Sequence, residues 1–175
     1  MKRYRSLWIV LSLLILVVIL AACSTSNTSQ STESQVSQNP VQEASSPQLP
    51  TKIVVYKSPT CGCCGEWTKH MEENGFDVEV KDVSDLASVK TRFNVPNNLQ
   101  SCHTALIGDY VIEGHVPAIE VQRLLQQHPE NVVGLAVPGM PSGAPGMNYG
   151  SPSQPYEVIA FDDGGGTEVF ASYGP

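Results

Sequence analysis

The segment from Ser24 to Pro50 limits the possible fold most strongly, because it cannot contribute to a hydrophobic core. Of its 27 residues, 18 are Ser, Thr, Asn or Gln, two are charged and none is aromatic. A segment of this composition cannot bury enough apolar surface to offset the entropy that it loses on ordering. We therefore expect residues 23–50 to form a disordered tether and residues 51–175 to form one folded domain.

The first 22 residues have the layout of a secretory signal. Residues 1–5 carry three basic side chains, and Leu7–Ala22 is apolar apart from Ser12, a length somewhat short for a spanning helix. The Leu-Ala-Ala-Cys sequence that ends at Cys23 resembles the lipobox of bacterial lipoproteins. We expect residues 1–22 to be a lipoprotein signal peptide and Cys23 to carry the lipid. The domain would then be exported and anchored to a membrane on its periplasmic or extracellular side. An uncleaved transmembrane anchor is the alternative, and it also exports the domain.

The charge of the chain limits its partners. The whole sequence has a net charge of −7, and without the three basic residues of the signal it has 7 basic and 17 acidic residues, a net of −10. An acidic surface disfavours nucleic acid and anionic lipid, and it tolerates cations. We expect contact with a membrane only through the N-terminal lipid.

Alternating strand and helix patterns fill residues 52–128. Short β-branched or alternating runs predict strands, and apolar residues on one helical face predict helices. Glycine and proline mark the ends of several elements. The predicted elements are strands at 52–56 and 76–81, helices at 61–74 and from Ser84 to before Pro96, strands at 104–107 and 110–112, and a helix from Pro117 to His128. The side chains expected to face the core from the last helix are Ile119, Val121, Leu124 and Leu125.

The order β-α-β-α-β-β-α is that of a thioredoxin-like α/β fold. In this architecture the end of the first strand and the start of the first helix form the reactive corner, where Cys61, Cys63 and Cys64 lie. Unpaired N–H groups and a partial positive charge at a helix N-terminus favour thiolate over thiol. We expect these three thiols to ionise unusually readily.

The C-terminal region predicts an extension of this fold. Tyr156–Phe161 and Thr167–Tyr173 flank a turn with three consecutive glycines and predict a β-hairpin. The hairpin follows a loop rich in proline and glycine. It either extends the sheet or covers the loop at 140–147, and the sequence does not distinguish these arrangements.

Three uses of the domain cysteines compete. Structural disulfides are typical of exported domains, but Cys63 and Cys64 are poor partners for each other because their Cα atoms are about 3.8 Å apart. Thiol–disulfide exchange fits Cys61 and Cys64, which have C-x-x-C spacing. Metal binding is the third use, and it also accounts for Cys102.

Cys102 lies directly before a predicted strand, and in a thioredoxin-like fold this loop faces the start of the first helix. Ordinary thioredoxins have a cis-proline here, whereas this chain has Ser101-Cys102-His103. Crowded thiolates suit Cu(I), zinc or iron–sulfur clusters, but the second cysteine pair of a typical structural zinc site is missing. A compact cluster in an exported domain favours Cu(I). The predicted metal ligands are Cys61, Cys63, Cys64 and Cys102.

Three segments, YKSPTCGCCGEW, SCHTALIGDYVIEGHVP and GLAVPGMPSGAPGM, resemble the CopG-like family of exported thioredoxin-like domains with a CxCC motif. The similarity extends from about Lys52 to Met147. It implies that the four cysteines bind copper, with several Cu(I) ions per chain in a sulfur-bridged cluster. It also implies a role in copper or silver resistance or homeostasis, with periplasmic copper-resistance proteins among its partners. The alternative is an exported thiol–disulfide oxidoreductase that uses Cys61 and Cys64. Enzymatic activity, as copper redox conversion or as thiol exchange, stays open.

Other candidates for the site are weaker. Met140 and Met147 could supply thioether ligands from their loop, since thioethers suit Cu(I), although a loop methionine is more often a packing residue. His103 is a secondary candidate ligand beside Cys102, and His115 is a weaker one. We expect His70 and His128 to lie at the surface and Trp67 to lie in the core.

Overall fold

The computed structural model describes residues 49–174. The predicted signal peptide, the predicted lipidation site Cys23 and nearly all of the predicted tether lie outside these residues. Leu49, near the end of the predicted tether, already packs against the core of the folded domain. Within residues 49–174, none of the helices has the length and apolar character needed to span a membrane.

The described residues form three helices and one seven-stranded sheet. In chain order the elements are β1 (Lys52–Lys57), α1 (Gly62–Glu73), β2 (Asp77–Asp82), α2 (Leu86–Arg92), a 3-10 turn (Asn97–Leu99), β3 (His103–Ile107), β4 (Tyr110–Glu113), α3 (Ala118–Gln127), β5 (Gly134–Ala136), β6 (Tyr156–Phe161) and β7 (Thr167–Tyr173). The strand order is β2-β1-β3-β4-β5-β6-β7. The pairs β1–β2 and β4–β5 are parallel, and the other pairs are antiparallel.

This arrangement confirms the predicted fold class. From β1 to α3 the elements follow the order β-α-β-α-β-β-α, and β3 and β4 form a hairpin around Gly108, which has a positive φ of 55°. The C-terminal hairpin of β6 and β7 extends the sheet. Strand β5, which the sequence did not predict, joins the hairpin to β4. A side chain at Gly134 in β5 would collide with the Val111 carbonyl and the Phe161 ring, so only glycine allows this close strand pairing.

Both faces of the sheet are covered by apolar side chains. Helices α1 and α3 pack on one face, and their buried residues there include Trp67, Met71, Val121, Leu124 and Leu125. A second, smaller core covers the other face, and it consists of Val95, Leu99, Val111, Ala136 and Phe161. The core position of Trp67 was predicted correctly. The inward orientation of Ile119 was wrong, because its side chain is 60% exposed near the start of α3.

Hydrogen bonds fix the C-terminal end of α1 and the N-terminal end of α2. Gly75 has a φ of 89° and donates its N–H to the Glu72 carbonyl, which ends α1 as the sequence predicted. The N-cap of α2 is Asp85, whose carboxylate accepts the Ser88 N–H at 3.0 Å. The predicted cap Ser84 therefore lies one residue too early, because a carboxylate three residues before Ser88 makes the bond.

Candidate metal centre

The loop between β1 and α1 places three cysteines at one corner of the domain. Cys61 is the N-cap residue of α1 and makes no side-chain cap hydrogen bond. Its N–H donates to the Ser58 carbonyl at 3.1 Å, which closes a turn after the strand. Cys63 and Cys64 follow in the first turn of the helix, with Cys64 fully buried and the other two half-buried. The structure therefore places the three cysteines at the strand–helix corner that the sequence predicted.

The start of β3 brings Cys102 to the same corner. Strand β3 pairs with β1, and His103 lies opposite Lys57, the last residue of β1. The residue before His103 therefore lies beside the loop that leads into α1. The Cys64 sulfur is 3.6 Å from the Cys102 carbonyl oxygen, and the Cys61 and Cys63 sulfurs are 3.5 Å apart. Four sulfur atoms lie within 4.8 Å of one another. We call this set the cysteine cluster; its members are Cys61, Cys63, Cys64 and Cys102.

A disulfide joins two members of the cysteine cluster. Cys61 and Cys64 form the bond, with their Cα atoms 5.4 Å apart, and Cys63 and Cys102 are free thiols. The structure therefore shows an oxidised form, in which the C-x-x-C pair is closed. Only two of the four sulfurs predicted to bind metal can carry a thiolate in this form.

Cys102 lies in a different environment from the cysteines of helix α1. Burial and, to a smaller extent, the nearby Cys63 sulfur raise the pKa of the Cys102 thiol to about 12, although a hydrogen bond with Ser101 acts in the opposite direction. Cys102 is therefore a protonated thiol at neutral pH, and a metal that binds there must displace the proton.

Two buried histidines contact Cys102. The Cys102 sulfur is 2.9 Å from Nε2 of His115 and 3.4 Å from Nδ1 of His103, and neither imidazole is exposed. Burial lowers the pKa of both histidines, and for His103 the lowering is large. Both rings are therefore neutral at pH 7. The sequence undervalued His115 because twelve residues separate it from Cys102, and only the β3–β4 hairpin brings them together.

A buried ion pair holds the loop that carries Cys102. Nζ of Lys90 donates to Oε1 of Glu113 at 2.5 Å and to the Thr104 hydroxyl at 3.1 Å. The same carboxylate accepts the Ser101 N–H at 2.6 Å and the Thr104 hydroxyl at 2.7 Å. Sequence reasoning missed this network. Its one visible signal is the glutamate at the end of the short apolar run YVIE.

The Pro- and Gly-rich loop after β5 lies against the start of α1. A side chain at Gly146 would approach the Cys63 carbonyl and the Trp67 N–H to 2.8 Å, so the loop backbone is in close contact with the helix. Met147 is half-buried and follows Gly146, whereas Met140 is 57% exposed. The role of both methionines as ligands stays a prediction.

Two other histidines were predicted to lie at the surface. His128 is exposed at the end of α3. His70 is half-buried, and its Nε2 accepts the Ala118 N–H at 3.0 Å. His70 is therefore partly at the surface, as the sequence predicted, and it also satisfies a free backbone donor at the start of α3.

The described fold and its sulfur-rich corner define a class of protein, an α/β domain with a thioredoxin-like element order and a candidate centre for a soft metal. Comparison with known proteins agrees with this class. Residues 99–147 match the family described as "Protein of unknown function, DUF411". No curated protein sequence matches the chain.

Two solved structures are similar to the chain over nearly their whole length. "Copper resistance protein copG- Form 2" is 42% identical, with 71% of this chain and 99% of that chain covered and a TM-score of 0.67. "Copper resistance protein copG- Form 1" is 41% identical, with 72% and 99% covered and a TM-score of 0.67. The chain belongs to the CopG-like copper-resistance family.

Proposed function

We propose that this protein is an exported copper-binding protein that holds Cu(I) in the cysteine cluster, as a site for several copper ions, in copper or silver resistance or homeostasis. The observation that carries the proposal is the convergence of four sulfurs, three from one helix start and one from a distant loop, within 4.8 Å of one another. The names of the solved relatives, which refer to copper resistance, support the choice of metal.

The chemistry of the sulfurs favours Cu(I). Thiolates are soft ligands that select Cu(I), zinc or iron–sulfur clusters. Cys63 and Cys64 are adjacent in the sequence, and their sulfurs lie within 4.8 Å of each other and of the other two sulfurs of the cysteine cluster. Cu(I) accepts few ligands and bridging sulfurs, and this crowding therefore suits it better than tetrahedral zinc.

Reduction must come before complete loading of the cluster. A dithiol from outside the protein can reduce the disulfide between Cys61 and Cys64: the dithiol gives up two electrons and two protons and becomes a disulfide, and Cys61 and Cys64 become two thiols, after which four sulfurs are available. Each Cu(I) ion then replaces thiol protons, so that binding releases protons to solvent. The Cys102 proton, held by a pKa raised to about 12 through burial, is lost only to a metal that bonds strongly to sulfur.

A cleft lies along α1 beside the start of the helix. It has a volume of about 570 Å³ and runs from Gly62, and Glu66, Lys69 and Glu73 lie on its wall opposite the loop that follows β5. Lys69 pairs with Glu66 at 2.7 Å, so the wall carries charges of both signs, and its two carboxylates outnumber the one ammonium only slightly in favour of a cation. Cys61 and Cys63 are half-buried, so neither residue is completely enclosed by the protein.

We also propose the cellular setting. Cleavage before Cys23 and lipidation of its sulfur anchor the domain on the exported side of a membrane, with residues 23–50 as the tether. Intact-mass measurement of the membrane-extracted protein tests this, and we expect the mass of an acylated chain that begins at Cys23. An unprocessed Met1 in the membrane fraction contradicts it.

The copper site is tested by metal analysis of protein that is reduced and loaded under anaerobic conditions. We expect more than one copper ion per chain, and loss of this binding in Cys102→Ala. Cys23→Ser is the matched control, because it removes a sulfur outside the cluster and should leave the copper number unchanged. Retention of the full copper number by Cys102→Ala overturns the four-sulfur site.

A second candidate function follows from the disulfide. Cys61 and Cys64 are closed in the structure, as in an oxidised thiol–disulfide oxidoreductase, and the half-buried Cys61 is the more accessible sulfur. In the reduced form, the Cys61 thiolate would attack a substrate disulfide and Cys64 would resolve the mixed disulfide. A metal-free protein that turns over a dithiol substrate, with activity lost in Cys61→Ser, supports this alternative.

A further inference from the structure

Three residues next to the disulfide form a second group of metal ligands. One atom from each lies within 4.8 Å of the other two, and the group consists of a thiol and two imidazoles. We call this group the mixed site; its members are Cys102, His103 and His115. The mixed site contains neither sulfur of the disulfide, so closure of the disulfide does not remove any of its ligands.

The hydrogen bonds of His115 fix which nitrogen is free to bind a metal. Nδ1 lies 2.7 Å from the Pro145 carbonyl oxygen, which can only accept, so Nδ1 carries the proton. Nε2 therefore presents its lone pair to the Cys102 sulfur at 2.9 Å. A backbone carbonyl that orients the far nitrogen is the usual support of a metal-binding histidine.

The same contacts show that a metal would replace the proton of the Cys102 thiol. Because Nε2 of His115 is an acceptor, the Cys102 thiol must donate its proton to it. A metal ion that binds between sulfur and nitrogen takes the place of this proton. Ligands of a tetrahedral site with bonds of about 2.0–2.3 Å are about 3.5 Å apart. The 3.4 Å between Nδ1 of His103 and the Cys102 sulfur fits this value, and the shorter contact of His115 has to open by about 0.6 Å.

Packing holds the second imidazole in place. The His103 ring lies 4.4 Å from the Trp67 ring and 5.1 Å from the His115 ring, measured between centroids. Nε2 of His103 is buried and has no hydrogen-bond partner among the described residues. A metal bound at Nδ1 would fix the ring proton on Nε2, so the contacts with the Trp67 and His115 rings, rather than a hydrogen bond at Nε2, orient the His103 ring.

We propose that the mixed site binds one copper ion while the disulfide between Cys61 and Cys64 is closed. One thiolate and two imidazoles form a ligand set that suits copper, and that is known from trigonal copper sites with two histidines and one cysteine. The Cys102 sulfur belongs to both groups, so it is a ligand that the mixed site and the cysteine cluster share. The mixed site does not depend on the four-sulfur proposal, since Cys61, Cys63 and Cys64 take no part in it.

The test uses the oxidised full chain with Cys23→Ser and Cys63→Ser, in which Cys102 is the one remaining free thiol of the sequence. Co(II) is the probe, because it does not oxidise the thiol and it reports its ligands by absorption. We expect one Co(II) per chain, a near-ultraviolet charge-transfer band from sulfur, and displacement of Co(II) by one equivalent of Cu(I).

Variants of the ligands decide the result. We expect Cys102→Ser to abolish the charge-transfer band, and His115→Gln and His103→Gln to weaken binding by roughly tenfold or more. His128→Gln is the matched control, because that imidazole is exposed at the end of α3 and should not affect binding. Circular dichroism shows whether each variant is folded.

Two results would overturn the mixed site: no Co(II) binding by the folded oxidised chain, or binding that His115→Gln leaves unchanged. Failure of the four-sulfur proposal looks different, since it appears as absence of multiple copper ions on the reduced wild-type protein. The two measurements are made on different redox forms, so each proposal can fail alone.

Discussion

The buried pair of Lys90 and Glu113 gives the sharpest prediction about stability. The two residues are 5% and 0% exposed, and their charged atoms are 2.5 Å apart. Removing one partner of a buried ion pair costs about 3–5 kcal/mol, because the other charge is left without its counter-ion. For Lys90→Met we expect the lower end, about 3 kcal/mol, since Glu113 keeps the Ser101 N–H and the Thr104 hydroxyl as donors.

The double variant separates the charge from the packing. Glu113→Gln alone leaves the Lys90 ammonium buried, and we expect it to cost about 3–5 kcal/mol. Lys90→Met with Glu113→Gln leaves no buried charge, so it should cost less than the sum of the single variants by about 2 kcal/mol or more. Urea-induced unfolding, followed by far-ultraviolet circular dichroism, measures all three. Losses of this size can be measured because the free energy of unfolding of a domain of this size is about 5–15 kcal/mol.

An exposed ion pair provides the control for this cycle. Lys69 and Glu66 are 2.7 Å apart on the surface of α1, and Lys69→Met should leave the urea midpoint unchanged. If the free energy of unfolding of Lys90→Met is also within about 1 kcal/mol of the wild-type value, the reasoning on burial is refuted. Because Ser101 is bonded to Glu113, we further expect Glu113→Ala to lower the copper number on the reduced protein.

Two further perturbations test the packing around the site. Gly146→Ala should lower the free energy of unfolding, measured with urea, by about 1–3 kcal/mol more than Gly139→Ala does. Both glycines have a positive φ, but only a side chain at Gly146 meets the backbone of α1. Equal losses in the two variants would contradict this contact. Burial lowers the pKa of His70 below 6.5, so the stability contributed by its neutral ring is complete above pH 6.5 and is lost as pH falls towards the folded-state value. The thermal midpoint of His70→Gln should therefore fall less than that of the wild-type protein between pH 7 and pH 5, and equal falls would show that the Ala118 cap does not contribute.

Much of the fold could be predicted because local patterns and topology agree. Alternating strand and helix signals up to α3 place the cysteines of α1 at a strand–helix corner, and the thioredoxin-like order places Cys102 opposite them. Strand β5 was missed because its three residues, Gly134–Ala136, are too short for a periodic signal. Its pairing depends on close contact with Val111 and Phe161, which lie far away in the sequence.

The parts of the site that sequence reasoning undervalued depend on contacts across the sheet. The bond between His115 and the Pro145 carbonyl joins the end of the β3–β4 hairpin to a loop 30 residues later. The pairing of Lys90 with Glu113 joins α2 to β4. A buried lysine in a short helix has the same sequence pattern as an exposed lysine, so the chain alone does not show which charges are inside.

The most direct test of the account is copper X-ray absorption spectroscopy on the reduced protein loaded anaerobically with copper. The account predicts Cu(I) with sulfur as the main scatterer, together with a short copper–copper distance that requires at least two ions bridged by the cysteine cluster. A first shell of nitrogen and oxygen, or sulfur ligands without any copper–copper scattering, would contradict the proposal that the converged sulfurs hold several copper ions.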